Sequence, residues 1–127
     1  MKKKVLCVCA QGIHRSKYLA SYLKKKGYNT RYGGVDNRFL VFKPSKSIKQ
    51  DDVDWADVIV IVRKRLGLIF KKKFKYNMKK LIFLDVTDDP SSLKGKFNYL
   101  RKVSYEEFAR KYRNPMLRKG IDKYLPL

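Results

Sequence analysis

A single histidine, two cysteines and 11 acidic residues leave this 127-residue sequence poor in metal ligands and in negative charge. No cluster of His, Cys, Asp and Glu has metal-site spacing, so neither a metal nor a cofactor is expected. Two cysteines, Cys7 and Cys9, cannot build the disulfide framework of a small secreted domain. Their side chains are expected on opposite faces of a strand and unpaired, which fits a reducing, cytoplasmic setting. Long apolar runs are missing as well. "MKKKVLCVCA" is too short for a signal peptide and is stopped by Gln11, and nothing reaches transmembrane length, so no membrane insertion is expected. Repeats and low-complexity linkers are absent, and residues 1–127 read as one domain.

What is abundant is positive charge. Lys and Arg number 32, for a net charge of +21. Such a field attracts anions and raises their encounter rates, without saying whether the anion is nucleic acid, acidic lipid or a phosphorylated substrate. Lysine runs at 2–4, 24–26, 71–73 and 79–80 are scattered, as they would be on a solvated surface, and form no recognisable nucleic-acid motif.

Four apolar runs predict strands: "KVLCVC" (4–9), "NTRYGGV" (29–35), "DVIVIV" (57–62) and "KLIFLDV" (80–86). The first, third and fourth are nearly continuous, as parallel strands covered on both faces require. Helices are expected over 16–27, 63–74, 104–112 and 116–125, the third opening on Ser104 with Glu107 at the capping-box position. Residues 36–52 read as a long loop. Alternating strands and helices give an α/β domain with a small parallel sheet.

The chemistry concentrates in "CAQGIHRS", residues 9–16, between the first strand and the first helix. Ligands in open α/β sheets bind beyond the carboxyl ends of strands, where the next helix starts. The amides of a curved loop and a helix N-terminus converge there on an anion, and Gly12 permits the curve. Arg15 offers a planar fork for two phosphate oxygens. Cys9 lies at the focus of those dipoles, which favour a thiolate nucleophile, and Ser16 is placed to donate to its sulfur. Cys7 reads as a core residue. His14 is either a structural residue or a second proton carrier or phosphate contact.

Cys-x5-Arg-Ser directly after an N-terminal strand resembles the phosphate-binding loop of the low-molecular-weight protein tyrosine phosphatases. The resemblance runs from residue 3 to about residue 90 through "KKGYNTRYGG", "DWADVIVIV" and "LDVTDDP". It implies a three-layer α/β/α fold with a four-stranded parallel sheet. It also implies metal-independent hydrolysis of phosphomonoesters, phosphotyrosine or another aryl phosphate, through a phosphocysteine. In that scheme Cys9 is the nucleophile, Arg15 holds the phosphoryl group and Ser16 stabilises the thiolate. The amides of Ala10, Gln11, Gly12, Ile13 and His14 receive its oxygens. The family's usual loop is Cys-x-Gly-Asn-x-Cys-Arg-Ser-Pro. Here Gln11, Gly12, His14 and Lys17 replace the glycine, asparagine, second cysteine and proline.

A general acid is expected after the fourth strand, where "DVTDDPSS" offers Asp88 and Asp89. Matching Asp-Val-x-Asp favours Asp88, matching Asp-Pro favours Asp89, and Asp88 is preferred. Phe39 and Phe42 are candidate pocket walls or core residues, and Asp54, Trp55 and Asp57 a packing and capping group. Arsenate reductases share this fold and loop but normally relay electrons through further cysteines, which are lacking after Cys9. Other open readings are a phosphatase acting on RNA ends or on nucleic-acid-associated phosphoproteins, and a basic nucleic-acid-binding module without catalysis.

Overall fold

The four apolar runs form one parallel sheet: β1 (Lys4–Cys9), β2 (Asn29–Gly34), β3 (Val58–Ile61) and β4 (Lys80–Phe83). The computed structural model describes residues 2–41 and 45–127; Phe42 and the side chain of Phe39, the two candidate wall residues, lie outside the described residues. Helices are α1 (Arg15–Lys25), α2 (Asn37–Leu40), α3 (Gln50–Trp55), α4 (Lys64–Lys73), α5 (Tyr105–Phe108) and α6 (Asn114–Asp122). A π-helical turn over Ala109–Arg113 joins the last two, and 3-10 turns cover Pro90–Ser92 and Gly95–Leu100.

Strand order is β2-β1-β3-β4. From β1 to β2 the chain moves one way across the sheet, and from β3 to β4 it moves the other. Right-handed crossovers therefore place α1 on one face and α4 on the opposite face. Accordingly α1 packs on β1, β2 and α6, while α3 packs on β1 and α4 on β3. The result is a three-layer α/β/α sandwich whose order reverses between β1 and β3. The crevice for a ligand opens at that reversal, beyond Cys9.

Burial follows the sequence pattern. All of β3 and five of the six residues of β1 are buried, whereas β2 and β4 at the edges are only partly so. On α1 the fully buried Leu19 and Leu23 anchor the helix, each contributing roughly 1.5–3 kcal/mol of burial free energy. A separate small cluster of Leu93, Leu100 and Phe108, flanked by Phe97, Tyr105 and Tyr112, consolidates the chain after β4. No helix among the described residues is long and apolar enough to cross a membrane.

Two expectations need correction. Cys7 and Cys9 share one face of β1, because side chains two positions apart on a strand point the same way. Both are nonetheless free thiols. The segment 36–52 is not one loop: it holds α2, a bridge between Gly34 and Ser47, and the start of α3. Asp52 caps α3 by accepting the Lys49 N–H at 2.9 Å. Asp57 accepts the Lys4 N–H at 2.9 Å, and Arg31 lies over the Trp55 ring at 4.3 Å.

Candidate active site

β1 ends on Cys9, and the chain turns through residues 10–14 before α1 begins at Arg15. The turn is stitched to the neighbouring segment. Ala10 O accepts from the Val35 and Asp36 amides, both at 3.1 Å, and Gln11 O accepts from Lys46 N at 3.0 Å. Gly12 has φ +81°, and a β-carbon there would lie 2.3 Å from Lys46 O. The residue that shapes the turn is thus the glycine at position 12. Gly34, the register partner of Cys9, allows the same close approach from below.

The sulfur of Cys9 sits at the centre of this turn, with the residue only 2% exposed. Gly12 N–H points at it from 3.0 Å, and the hydroxyl of the buried Ser16 lies 3.0 Å away. Both groups suit a thiolate, which accepts hydrogen bonds and gives none. Cys7, in contrast, is fully buried, and that burial pushes its thiol far above the ordinary range, with Cys9 adding to the effect. It is held neutral and unreactive.

Arg15 is 5% exposed and closes one side of the site. Its NH1 donates to Val86 O at 2.9 Å, tying it to the segment after β4. Its Nε is buried without a hydrogen-bond partner. A buried guanidinium N–H left unpaired is costly, and an anion beside Cys9 would satisfy it. Burial works against the charge of Arg15, and the neighbouring Cys9 and Asp88 act in the opposite sense.

These groups border a pocket of about 250 Å³. Cys9, Ala10, Gln11, His14 and Arg15 line it from the loop. Arg63 and Arg65 from the start of α4, and Thr87, Asp88 and Asp89 after β4, complete it. Ile13 is not part of the lining, and Gly12 contributes its amide to the sulfur. The two aspartates differ in what they do. Asp89 Oδ1 accepts from Ser91 N at 3.0 Å and Ser91 Oγ at 2.7 Å, capping the Pro90–Ser92 turn. Those bonds hold its carboxyl below the usual range. Asp88 Oδ1 instead accepts from the Tyr105 hydroxyl and faces Arg113 NH1 at 4.0 Å.

Tyr105 and Arg113 carry no sequence signal that would link them to the site. Arg113 donates to the Tyr105 oxygen at 2.8 Å and to Asn114 at 2.9 Å. Burial, then the bond to Asp88, drives the Tyr105 hydroxyl well above its ordinary range. Its ring lies 5.0 Å from that of His14. His14 stands at the start of α1 without a side-chain cap bond. Burial lowers its pKa below the ordinary histidine value, with Asp88 opposing and Arg113, Arg15 and Lys17 assisting. Among the described residues, no group of three or more His, Cys, Asp and Glu is arranged to hold a metal ion.

A sheet ordered β2-β1-β3-β4, with a cysteine–arginine loop at its reversal point, can be compared with known architectures. No family model matches the chain, and no curated protein matches it in sequence. Solved structures do match along nearly its whole length. Wzb from Vibrio vulnificus, solved with benzylphosphonate, is 14% identical with a TM-score of 0.71, over 98% of this chain and 97% of that one. SP-PTP, a low-molecular-weight protein tyrosine phosphatase from Streptococcus pyogenes, is 16% identical with a TM-score of 0.66, over 97% and 91%. The fold is that of the low-molecular-weight protein tyrosine phosphatases. A thioredoxin-dependent arsenate reductase from Corynebacterium glutamicum also matches, at 13% identity and a TM-score of 0.54, over 96% of this chain and 61% of that one. The low-molecular-weight phosphatase fold therefore does not choose the chemistry by itself; the residues in the pocket must.

Proposed function

We propose that the protein is a metal-independent, cysteine-dependent phosphatase that hydrolyses aryl phosphomonoesters, phosphotyrosine above all, through a phosphocysteine. One observation carries this reading. The Gly12 N–H and the Ser16 hydroxyl both lie 3.0 Å from the Cys9 sulfur, beside a buried Arg15 whose Nε has no protein partner. That is a nucleophile next to an unfilled seat for an oxyanion. A pocket of about 250 Å³ suits one phosphorylated side chain better than a larger ligand. Free Cys7 and Cys9 fit a reducing compartment such as the cytoplasm.

The chemistry runs in two steps. A lone pair on the Cys9 thiolate forms the S–P bond as the P–O bond to the leaving group breaks, and Asp88 gives that oxygen a proton. Arg15 and the loop amides hold the equatorial oxygens, where charge builds up. Water then attacks phosphorus and passes a proton to Asp88. The P–S bond breaks, and its electrons return to a thiolate that Ser16 and Gly12 stabilise. The Tyr105 and Arg113 contacts of Asp88 both fall on Oδ1.

The test is phosphate release from para-nitrophenyl phosphate, a phosphotyrosyl peptide and 5′-phosphorylated RNA, with and without chelator. Wild-type protein should turn over the first two with chelator present. Cys9→Ser should be inactive yet still bind phosphate, and Cys7→Ala should keep its rate. Arg15→Lys keeps the charge but loses the fork, and should lose activity by orders of magnitude. Turnover by Cys9→Ser at the wild-type rate would end the proposal, and a preference for RNA would move it to nucleic-acid ends.

A further inference from the structure

One phosphoryl group uses Arg15, yet the same pocket holds two more guanidinium groups. Arg63, the residue before α4, and Arg65, in its first turn, line it from the other side of the sheet's reversal point. Arg63 is steadied by Asp85 at 3.5 Å, and Arg65 donates to Asp36 at 3.1 Å. Their side chains remain 35% and 43% exposed, at the mouth.

Asp85 also accepts the Lys64 N–H at 3.3 Å, so anions already stand beside both arginines. Arg63, Lys64 and Arg65 crowd the positive end of α4, whose first turn has no acidic residue. A helix macrodipole disfavours cations there and favours anions. An anionic group of the substrate, seated at the mouth, would add to Asp85 and Asp36 in balancing those cations.

We infer that this site selects phosphotyrosyl peptides that carry Asp or Glu next to the phosphotyrosine, with those carboxylates seated on Arg63 and Arg65. The inference rests on the phosphatase reading above and names its substrate class. A peptide, which brings few negative charges, is favoured over a nucleic acid by the acidic residues that share the pocket. Asp88 and Asp89 line the same pocket beside the arginines and repel a polyanion that fills it.

Binding can be measured without turnover, using full-length Cys9→Ser protein and fluorescent phosphotyrosyl peptides whose flanking residues are Glu or Gln. Two exposed ion pairs should give the acidic peptide about five- to tenfold tighter binding at low salt, shrinking as salt rises. Adding Arg63→Gln and Arg65→Gln should cut that preference to about twofold or less, while Lys25→Gln with Lys26→Gln, at the far end of α1, should preserve it. Equal affinity for the two peptides overturns the inference. So does an equal loss of preference in the lysine variant, which would assign it to net charge. Tighter binding of 5′-phosphorylated RNA than of the acidic peptide overturns it as well. The phosphatase reading fails separately, if wild-type protein releases no phosphate from para-nitrophenyl phosphate.

Discussion

Gly34→Ala adds one methyl group beneath the Cys9 loop, and its effect can be worked out from the geometry. A β-carbon at Gly34 would sit 2.4 Å from Ala10 O, 2.5 Å from Gln11 C and 2.8 Å from Gln11 Cα. Ordinary contact begins near 3.4 Å, so the two backbones must separate by about 1 Å. No side chain is available to move aside. The segments are also bonded to each other: Ala10 O accepts from Val35 and Asp36, and Gly34 N donates to Lys46 O at 2.6 Å. Separation strains those bonds and shifts residues 10 and 11, which line the pocket.

Overpacking of this kind destabilises by roughly 1–3 kcal/mol, and a displacement of about 1 Å in a catalytic site costs about 100-fold in rate. The control is Gly27→Ala, beyond the end of α1. It has φ +102° and no heavy atom within 4 Å of the added carbon, so it incurs backbone strain alone, about 1–2 kcal/mol. Urea unfolding and kcat/KM for para-nitrophenyl phosphate should separate the two. Both variants should lose stability to a similar degree, and only Gly34→Ala should lose about two orders of magnitude in kcat/KM. A Gly34→Ala protein that is folded and within about threefold of the wild-type rate would refute the claim that this glycine sets the loop's position.

Other outcomes can be checked alongside. A general acid matters most for a poor leaving group, so Asp88→Asn should cripple hydrolysis of an alkyl phosphate and affect para-nitrophenyl phosphate far less. Asp89→Asn should give a milder, non-selective loss through the Pro90–Ser92 turn, and the reverse pattern would reassign the acid. Tyr105→Phe removes the donor that orients Asp88 and should lower kcat for poor leaving groups about five- to tenfold with little change in KM; an equal loss for every leaving group would mean a merely structural role. Asp36, 4% exposed at its side chain, is held below the usual carboxylate range, first by the Arg38 side-chain bonds and then by Arg65. A depressed folded-state pKa gives stability that is present above the unfolded value of about 3.9 and lost as pH falls below it. The urea-midpoint difference between wild type and Asp36→Asn should therefore shrink between about pH 5 and pH 2, and a constant difference would show that the carboxylate's charge is not what matters.

The sheet was legible because its central strands are buried on both faces. β1 and β3 read as unbroken apolar runs, and their ends fall within about a residue of the predicted ones. The edge strands were less sharp. β4 stops at Phe83, three residues short of the apolar run, although Leu84 N and Val86 N still donate to Ile61 O at 2.8 Å and Val62 O at 3.0 Å. α3 escaped notice because six residues, "QDDVDW", bury only Val53 and so leave no periodic stripe to find. The C-terminal helix was predicted in two pieces, and those pieces are joined by a π-helical turn, which no side-chain period announces.

For the site, the local part could be read and the tertiary part could not. Cys9, Arg15 and Ser16 fall within eight residues, so one strand-to-helix turn brings them together whatever the rest of the chain does. Gly12 illustrates how such a turn tolerates sequence change: it alone within the loop has φ above zero, so the glycine has to stand where the bend is. Tyr105 and Arg113 reach Asp88, and Arg63 and Arg65 reach the pocket, only through the fold. The first two arrive on the small cluster around Phe108, and the others on a helix from the opposite face of the sheet. The two arginines before and within α4 still left a trace that physics could have weighed. "VRKRLGL" puts three cations at the start of a helix, where the dipole disfavours them. A local sequence choice that opposes its own secondary structure is the kind of inconsistency expected where a ligand, rather than the fold, sets the requirement.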